Sequence, residues 1–553
     1  MRRIIIKIIA FLLFVTLLLS GFTGCSITGN KPAQTSQPGQ PESTRLEFYL
    51  PTQVSDQTGL GKVLDEFYKQ TRDTLNVSIK FNFTSIDDIG NTVEIKLGAG
   101  EQVDSIFSAQ WTTPNLMQMV SKGQLVNLDK YFYDEKNKGL KSAFSKDYLE
   151  NNMFTDSTGE SHIYGIPFTY GFTGGSVFYY RKDLAIKYGI NKISSIADLT
   201  NYYEQIVKNE KGMVPLSIIG TQDEISYFIY QMMQPTTQEH NYDLNVSGID
   251  GTAIAIRPDG TAYVARKVNY WSDNEFTKLL PEPLKSMNSM VGYQIAREWY
   301  TKGYLERDVL SQKDSRGQFM SGKAASFMST IDQYYNISKQ IKDYSPVADL
   351  GYFVINPALR SGEPGKMPSE FKAWNFAGIP VTSKNIDKTM AFYNWLFSSK
   401  SNHDLFEYGV EGVSWKADGD LKYENIYQKS KENQYNFPAY ALTWNPTMLR
   451  FEKNTPDEVI RIMKNISDTN FFYRKPTTGF SFVTDSVKGE MVNLNDLAAM
   501  KRAVGNGVVA DIPGYLENIQ QEYEKAGYLK VQAELERQLN QFLKKNKRIK
   551  NLN

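Results

Sequence analysis

The chain has 553 residues, and its 62 Lys+Arg nearly cancel 61 Asp+Glu, so no global basic field exists to hold nucleic acid. Three His and one Cys exclude a Cys/His zinc centre, an iron–sulfur cluster and any internal disulfide. Aromatic residues reach 13%, more ring surface than a core rich in Leu, Ile and Val requires, so some rings are expected to serve binding.

Arg2, Arg3 and Lys7 precede an apolar run from Ile8 to Ser20, a charged n-region and an h-region too short for a stable membrane span. Gly21-Phe22-Thr23-Gly24 then leads into Cys25. This segment resembles a bacterial lipoprotein signal, with Phe22 where Leu is usual. The resemblance implies that residues 1–24 are removed and that Cys25 is diacylated, and two acyl chains anchor firmly where one binds marginally. Removal takes away three basic and no acidic residues, which leaves a net charge of −2. Residues 25–45 are too poor in apolar groups to offset the entropy of ordering them and are expected to form a flexible tether.

Leu46, Phe48 and Leu50 alternate as a half-buried strand, Val63, Leu64 and Phe67 recur at helical spacing, and Val77, Ile79, Phe81 and Phe83 alternate again. A strand, a helix and a strand in succession suit a parallel sheet. A helix over 87–97 and a short strand over 104–107 follow. Further on, Tyr164-Gly165-Ile166-Pro167-Phe168 is followed by Gly174-Gly175, which suits a backbone bend, and by an apolar run from Ser176 that suits a strand. Near the end, Val531, Leu535, Leu539 and Phe542 share one helical face, and basic residues crowd the terminus where the macrodipole favours cations.

Ile166-Pro167 followed by Tyr179-Tyr180-Arg181-Lys182-Asp183 resembles the first interlobe crossover of extracellular solute-binding proteins of the maltose-binding type. Leu125 to Asp129, Gly292 to Leu305, Phe319-Met320-Ser321-Gly322-Lys323-Ala324-Ala325 and Trp374 to Pro380 match further elements of that family in order, the last as a second crossover before a helix over 386–397. The length resembles that of the large lipoprotein, LipO-like branch of carbohydrate ABC importers. The resemblance implies an α/β, two-lobed periplasmic-binding-protein-like fold with discontinuous lobes, hinge crossovers and a ligand cleft. The first lobe is placed at 45–172 and 377–445, the second at 173–376 and 446–553.

Catalytic and metal motifs fare poorly. Gly317 to Ala324 nearly matches a phosphate loop, but Ala324 lacks the hydroxyl that would meet Mg²⁺. Asn241-Tyr242-Asp243-Leu244-Asn245 alternates oxygen ligands like a calcium loop, but Val246 stands where the sharp turn needs Gly and Thr252 where a bidentate Glu belongs. An Asx-rich turn is favoured, with the calcium loop that large alginate-binding members of the resembled family carry as the alternative. His162, His240 and His403 have no carboxylate or nucleophile partner nearby in sequence. A surface glycan hydrolase using paired carboxylates remains an alternative without a motif.

Sugars present apolar C–H faces ringed by hydroxyls, so their sites need flat rings beside short polar side chains. Trp374 with Asn375, and Gln110 with Trp111, are the first candidates. Tyr170, Asp332, and Glu411 with Trp415 are further ones, Gly171 being expected to let ligand approach the backbone beside Tyr170. Trp271 and Trp415 suit core and ligand contact equally, and Trp444 suits a turn or a contact. Trp299 and Trp395 lie in apolar helical patterns and read as core. Asp104 looks like the resembled family's strand-end acid, with a helix cap or a hinge salt bridge as equal alternatives. The resulting expectation is a non-enzymatic, monomeric receptor on the extracellular face of the membrane. It needs no cofactor or metal, and its partners are an oligosaccharide, a cognate ABC permease and, through Cys25, the lipid bilayer.

Overall fold

Leu46, Phe48 and Leu50 lie on one face of the strand Thr44–Pro51 and are fully buried, which the period-2 alternation requires when that face meets a core. The computed structural model describes residues 43–52, 57–109, 112, 114–237, 239–246, 252–427 and 431–545. The signal segment, Cys25 and the tether up to residue 42 lie outside them.

Thr44–Pro51 sits in a five-stranded sheet whose order is Val77–Thr84, Thr44–Pro51, Ser105–Ala109, Asn375–Gly378, Gly165–Phe168. Phe48 pairs with Ser105 in parallel, across the connection made by the helices Leu60–Thr71 and Ile89–Gly98. Asn375 pairs antiparallel with both Ala109 and Phe168, so a strand from late in the chain closes the early sheet. Helix Ile386–Leu396 covers it, with Tyr393 stacked on Phe48 at 5.8 Å and Phe392 edge-on at 5.4 Å. Each such ring is worth about 1.5–3 kcal/mol of burial. Asp104 proves structural: it is fully buried, accepts from the Glu47 amide, and receives Ser383 Oγ at 2.6 Å, tying the 383–385 turn to the sheet.

A second sheet has Ser176–Arg181 at its centre, antiparallel to Ser326–Thr330 and Leu350–Val354. The bend expected before it is made by Gly175 at φ +57°, where an added Cβ would come within 2.9 Å of Ile331. Phe319, Ala324 and Ala325 are buried at the entry to the strand from Ser326, and Trp299 is buried on helix Val291–Thr301. A third sheet, Tyr242–Asp243 with Ile254–Ile256 and Ala262–Val264, is covered by the terminal helix Tyr528–Lys545. Val531, Leu535, Leu539 and Leu543 form its buried seam; Phe542 lies at the edge, against Phe480 at 5.5 Å. Among the described residues no helix is long and apolar enough to cross a membrane.

One apolar core gathers buried residues from 46–168 and 373–442. The other cores gather theirs from 170–371 and 451–543. The molecule is thus an α/β protein of two lobes, neither contiguous in sequence. Phe172 and Trp444 pack against cores of both kinds. The connecting segments are hydrogen-bonded to one another: Trp374 N–H donates to Phe168 C=O (3.2 Å) and Thr169 N–H to Trp444 C=O (3.1 Å).

Candidate functional site

Beside the crossings at Phe172-Thr173 and Ala373-Trp374, a cavity of about 660 Å³ opens. That is the size class of small-molecule sites. Helix Ile225–Met233 supplies Tyr227, Tyr230 and Gln231, and Pro235 ends its line so that Gln234, Thr236 and Thr237 also face the space. The turn Tyr270–Ser272 supplies Tyr270 and Trp271. The strands Met367–Ser369 and Phe472–Arg474 run in parallel, so the residues just beyond their ends, Glu370, Lys372 and Lys475, arrive at the same wall as Tyr473.

Trp271 is buried and stacks on Tyr230, with centroids 6.1 Å apart and planes inclined by 29°. Trp374 is half-buried and held by two perpendicular neighbours, Tyr170 at 4.8 Å and Trp444 at 6.1 Å. Both tryptophans line the cavity. The ammonium of Lys475 lies 2.9 Å from Asp243 Oδ1 and 3.0 Å from Glu370 Oε1. Burial lowers the Lys475 pKa, but Asp243 and Glu370 outweigh it and the net shift is upward. Lys372 shifts the other way: burial, reinforced by Lys475 and opposed by Glu370, pushes it below the usual lysine range.

The remaining expected site residues distribute unevenly. Tyr170 is buried, so its ring braces Trp374 and does not line the cavity. The expected approach beside it is closed, since an added Cβ on Gly171 would meet Ile466 at 3.0 Å. Asp332 lies against Tyr170, whose phenol pKa is held up by burial first and by Asp332 second. Asn375 is a buried strand residue whose Nδ2 donates to Tyr440 C=O, so it serves the crossings and not the cavity. Trp415 takes the core alternative of its two, and Glu411 does not line the cavity. Trp415 is buried with its indole N–H donating to Gly409 C=O at 2.8 Å and Arg450 over its ring, and Glu411 is an exposed turn residue that accepts from the Ala417 amide. Gln110 and Trp111 lie outside the described residues.

The calcium-like pattern is occupied by protein. Lys475 reaches Asp243 and the Asn245 carbonyl (2.8 Å), and Thr477 donates to the other Asp243 oxygen, so an ammonium takes the oxygens a cation would need. Among the described residues no group of three His, Cys, Asp or Glu is placed to hold a metal. Gly317 to Met320 form part of the helix Ser315–Met320, capped by Asp314, which leaves no loop to cradle phosphate. Against expectation two histidines have carboxylate partners, some of them close in sequence: His162 meets Asp129 at 2.8 Å and Glu160 at 3.4 Å, and His403 meets its chain neighbour Asp404 at 3.1 Å. Neither lines the cavity.

The residues missed from sequence are Tyr227, Tyr230, Gln231 and Gln234, and the lysines with their acids. Polar Gln231 within a largely apolar helix, followed by Gln234 just past its end, was the available signal for the first group.

A family model described as a bacterial extracellular solute-binding protein matches residues 62–413, and one described as a domain of unknown function matches residues 476–544. A carbohydrate ABC transporter substrate-binding protein of Streptococcus pneumoniae is 24% identical over 550 residues, covering 96% of this chain and 97% of that protein. Among solved structures, the N-glycan transport solute-binding protein NgtS of S. pneumoniae superposes with TM-score 0.67 at 20% identity, over 91% of this chain and all of that one. An ABC-transporter-associated solute-binding protein of Bifidobacterium longum infantis, described as HMO-binding, gives 0.59 at 11% identity over the same shares.

Proposed function

The chain belongs to the bacterial extracellular solute-binding protein family, and on that premise we propose that it is the lipid-anchored substrate receptor of an ABC importer, binding an oligosaccharide between its lobes. One observation carries the ligand class. At the crossings a cavity sets Trp271, Trp374, Tyr230 and Tyr473 beside the uncharged hydrogen-bonding groups of Gln231, Gln234, Thr236 and Asn245. Rings take the apolar faces of sugars and amides select among hydroxyls, because a site built to pair a hydroxyl rejects the epimer that leaves its own group unpaired. The names of the relatives point the same way, NgtS having been solved with Man5GlcNAc and with Man1GlcNAc.

On this reading no bond of the ligand is made or broken. The lobes, one built from 45–172 with 373–445 and the other from 173–372 with 446–553, turn about the hydrogen-bonded crossings, and ligand drives closure by binding the closed state more tightly. The boundary is set at 373 and not at the expected 377 because Ala373 and Phe376 pack in the first core and not the second. Cys25 carries the acyl anchor on the extracellular face, the body acts as a monomer, and a membrane permease supplies transport.

A thermal-shift screen of the purified protein against oligosaccharides, with the ligand recovered and weighed by mass spectrometry, tests the reading. A binder present at 100 times its Kd should stabilise the fold by about 2.7 kcal/mol and come back with unchanged mass. Cleaved ligand, or no stabilisation by any oligosaccharide, would overturn it.

A further inference from the structure

The charges on the cavity wall do not balance. Three lysines and two carboxylates line it, and both carboxylates, Asp243 and Glu370, are engaged by Lys475. Among the described residues, neither Lys366 nor Lys372 has a carboxylate within ion-pair distance. The Lys372 ammonium donates to the Phe480 carbonyl at 3.4 Å. Nearby His240 adds no charge near neutrality: its ring lies on Tyr473 at 3.5 Å, and burial first, then Lys366, push its pKa below the usual value. The cavity tyrosines Tyr230, Tyr242, Tyr270 and Tyr473 are all shifted upward by burial and stay neutral. The wall therefore carries a surplus of positive charge, part of it on a side chain largely withdrawn from water. A neutral ligand would bury that cation further without repaying it, whereas an anionic group would supply the missing counter-charge.

We propose that the cavity takes an acidic oligosaccharide, its anionic group seated at Lys372 with Lys366 beside it, while Trp271 and Trp374 take sugar faces. This rests on the reading of the cavity as the oligosaccharide site. An ammonium accepts a uronate carboxylate or a sugar sulfate alike, so the test has an arm for each.

Calorimetric binding to the purified protein would compare oligomers of galacturonate, mannuronate and guluronate with their carboxyl-reduced forms, and sulfated oligosaccharides with their desulfated forms, at low and high salt. At least one acidic probe should bind about tenfold or more tighter than its neutral counterpart, and the preference should shrink with salt and vanish in Lys372→Met. The arm in which this occurs names the anion. If Lys372→Met fails to fold, a halved or smaller preference in Lys366→Met decides instead. Absence of any acidic preference, or a preference untouched in both variants, overturns the proposal. Tight binding of the neutral probes alone would overturn it and leave the receptor reading standing; no binding by any probe, acidic or neutral, would count against both.

Discussion

Tyr170 stands edge-on to Trp374 with ring centroids 4.8 Å apart, and it repeats the contact with Trp444 at 4.8 Å. A buried ring on one crossing thus braces a half-buried ring on another, at the point where the lobes are joined and the cavity begins. These contacts hold the orientation of Trp374 from within the protein, which lowers the ordering cost of binding.

Trp374→Ala is therefore predicted to weaken oligosaccharide binding by about 2 kcal/mol or more, roughly thirtyfold, as for a central aromatic anchor. Tyr170→Leu, acting through Trp374, should weaken it less. Calorimetric titration of the two variants checks both, and an unchanged affinity in Trp374→Ala would remove that ring from the site.

Trp415 is buried away from the cavity, with its N–H satisfied by Gly409. Trp415→Ala should cost about 3–5 kcal/mol of stability through the cavity it leaves. Affinity for ligand in the fraction that remains folded should stay within about 0.5 kcal/mol of the parent, since the sites are independent. Denaturant unfolding paired with titration separates the two effects.

Lys475 joins Asp243 and Glu370, which come from separate stretches of chain. Removing it in Lys475→Met strands two largely buried carboxylates and should destabilise by about 3–5 kcal/mol. Adding Asp243→Asn should recover part of the loss, and a double-mutant cycle in urea measures the coupling.

Glu407 accepts a hydrogen bond from Oγ1 of Thr443, the residue before Trp444 in the chain. Burial first, and Asp404 second, raise its pKa, while His403 and the Thr443 bond oppose the shift. The folded state thus binds this proton more tightly than the unfolded state does. Stability contributed by the protonated form is present below the unfolded carboxylate pKa and is lost as pH rises through the folded one. Melting temperatures of Glu407→Gln and the parent should therefore diverge with rising pH, the variant gaining; parallel curves from about pH 4 to 8 would contradict this.

Alternation and helical spacing made the architecture legible, because they report which face of a local element meets a core. Leu46, Phe48 and Leu50 show it in a strand, and Trp299 in a helix, and both patterns lead to buried side chains. The Ile166-Pro167 and Trp374-Asn375 crossovers were legible as motifs, and the structure brings Phe168 and Asn375 into register across them. Site membership was far less legible, because it depends on neighbours distant in sequence. Trp271 and Trp415 looked alike, each an indole among polar residues, until the fold set Tyr230 against one and Arg450 over the other. Lys475 meets Asp243 across 232 positions, a separation that no local pattern reports. Tyr230 lies buried on an apolar helix, a pattern that reports packing alone, yet its ring also faces the cavity.

That an oligosaccharide is held in the cavity at the crossings is tested most directly by a crystal structure of the protein grown with the tightest oligosaccharide from the screen. A sugar ring lying against Trp374 or Trp271, with hydroxyls on Gln231 or Gln234 and the ligand enclosed between lobes, is the predicted result. Ligand density elsewhere on the molecule, with this cavity holding only water, would contradict it.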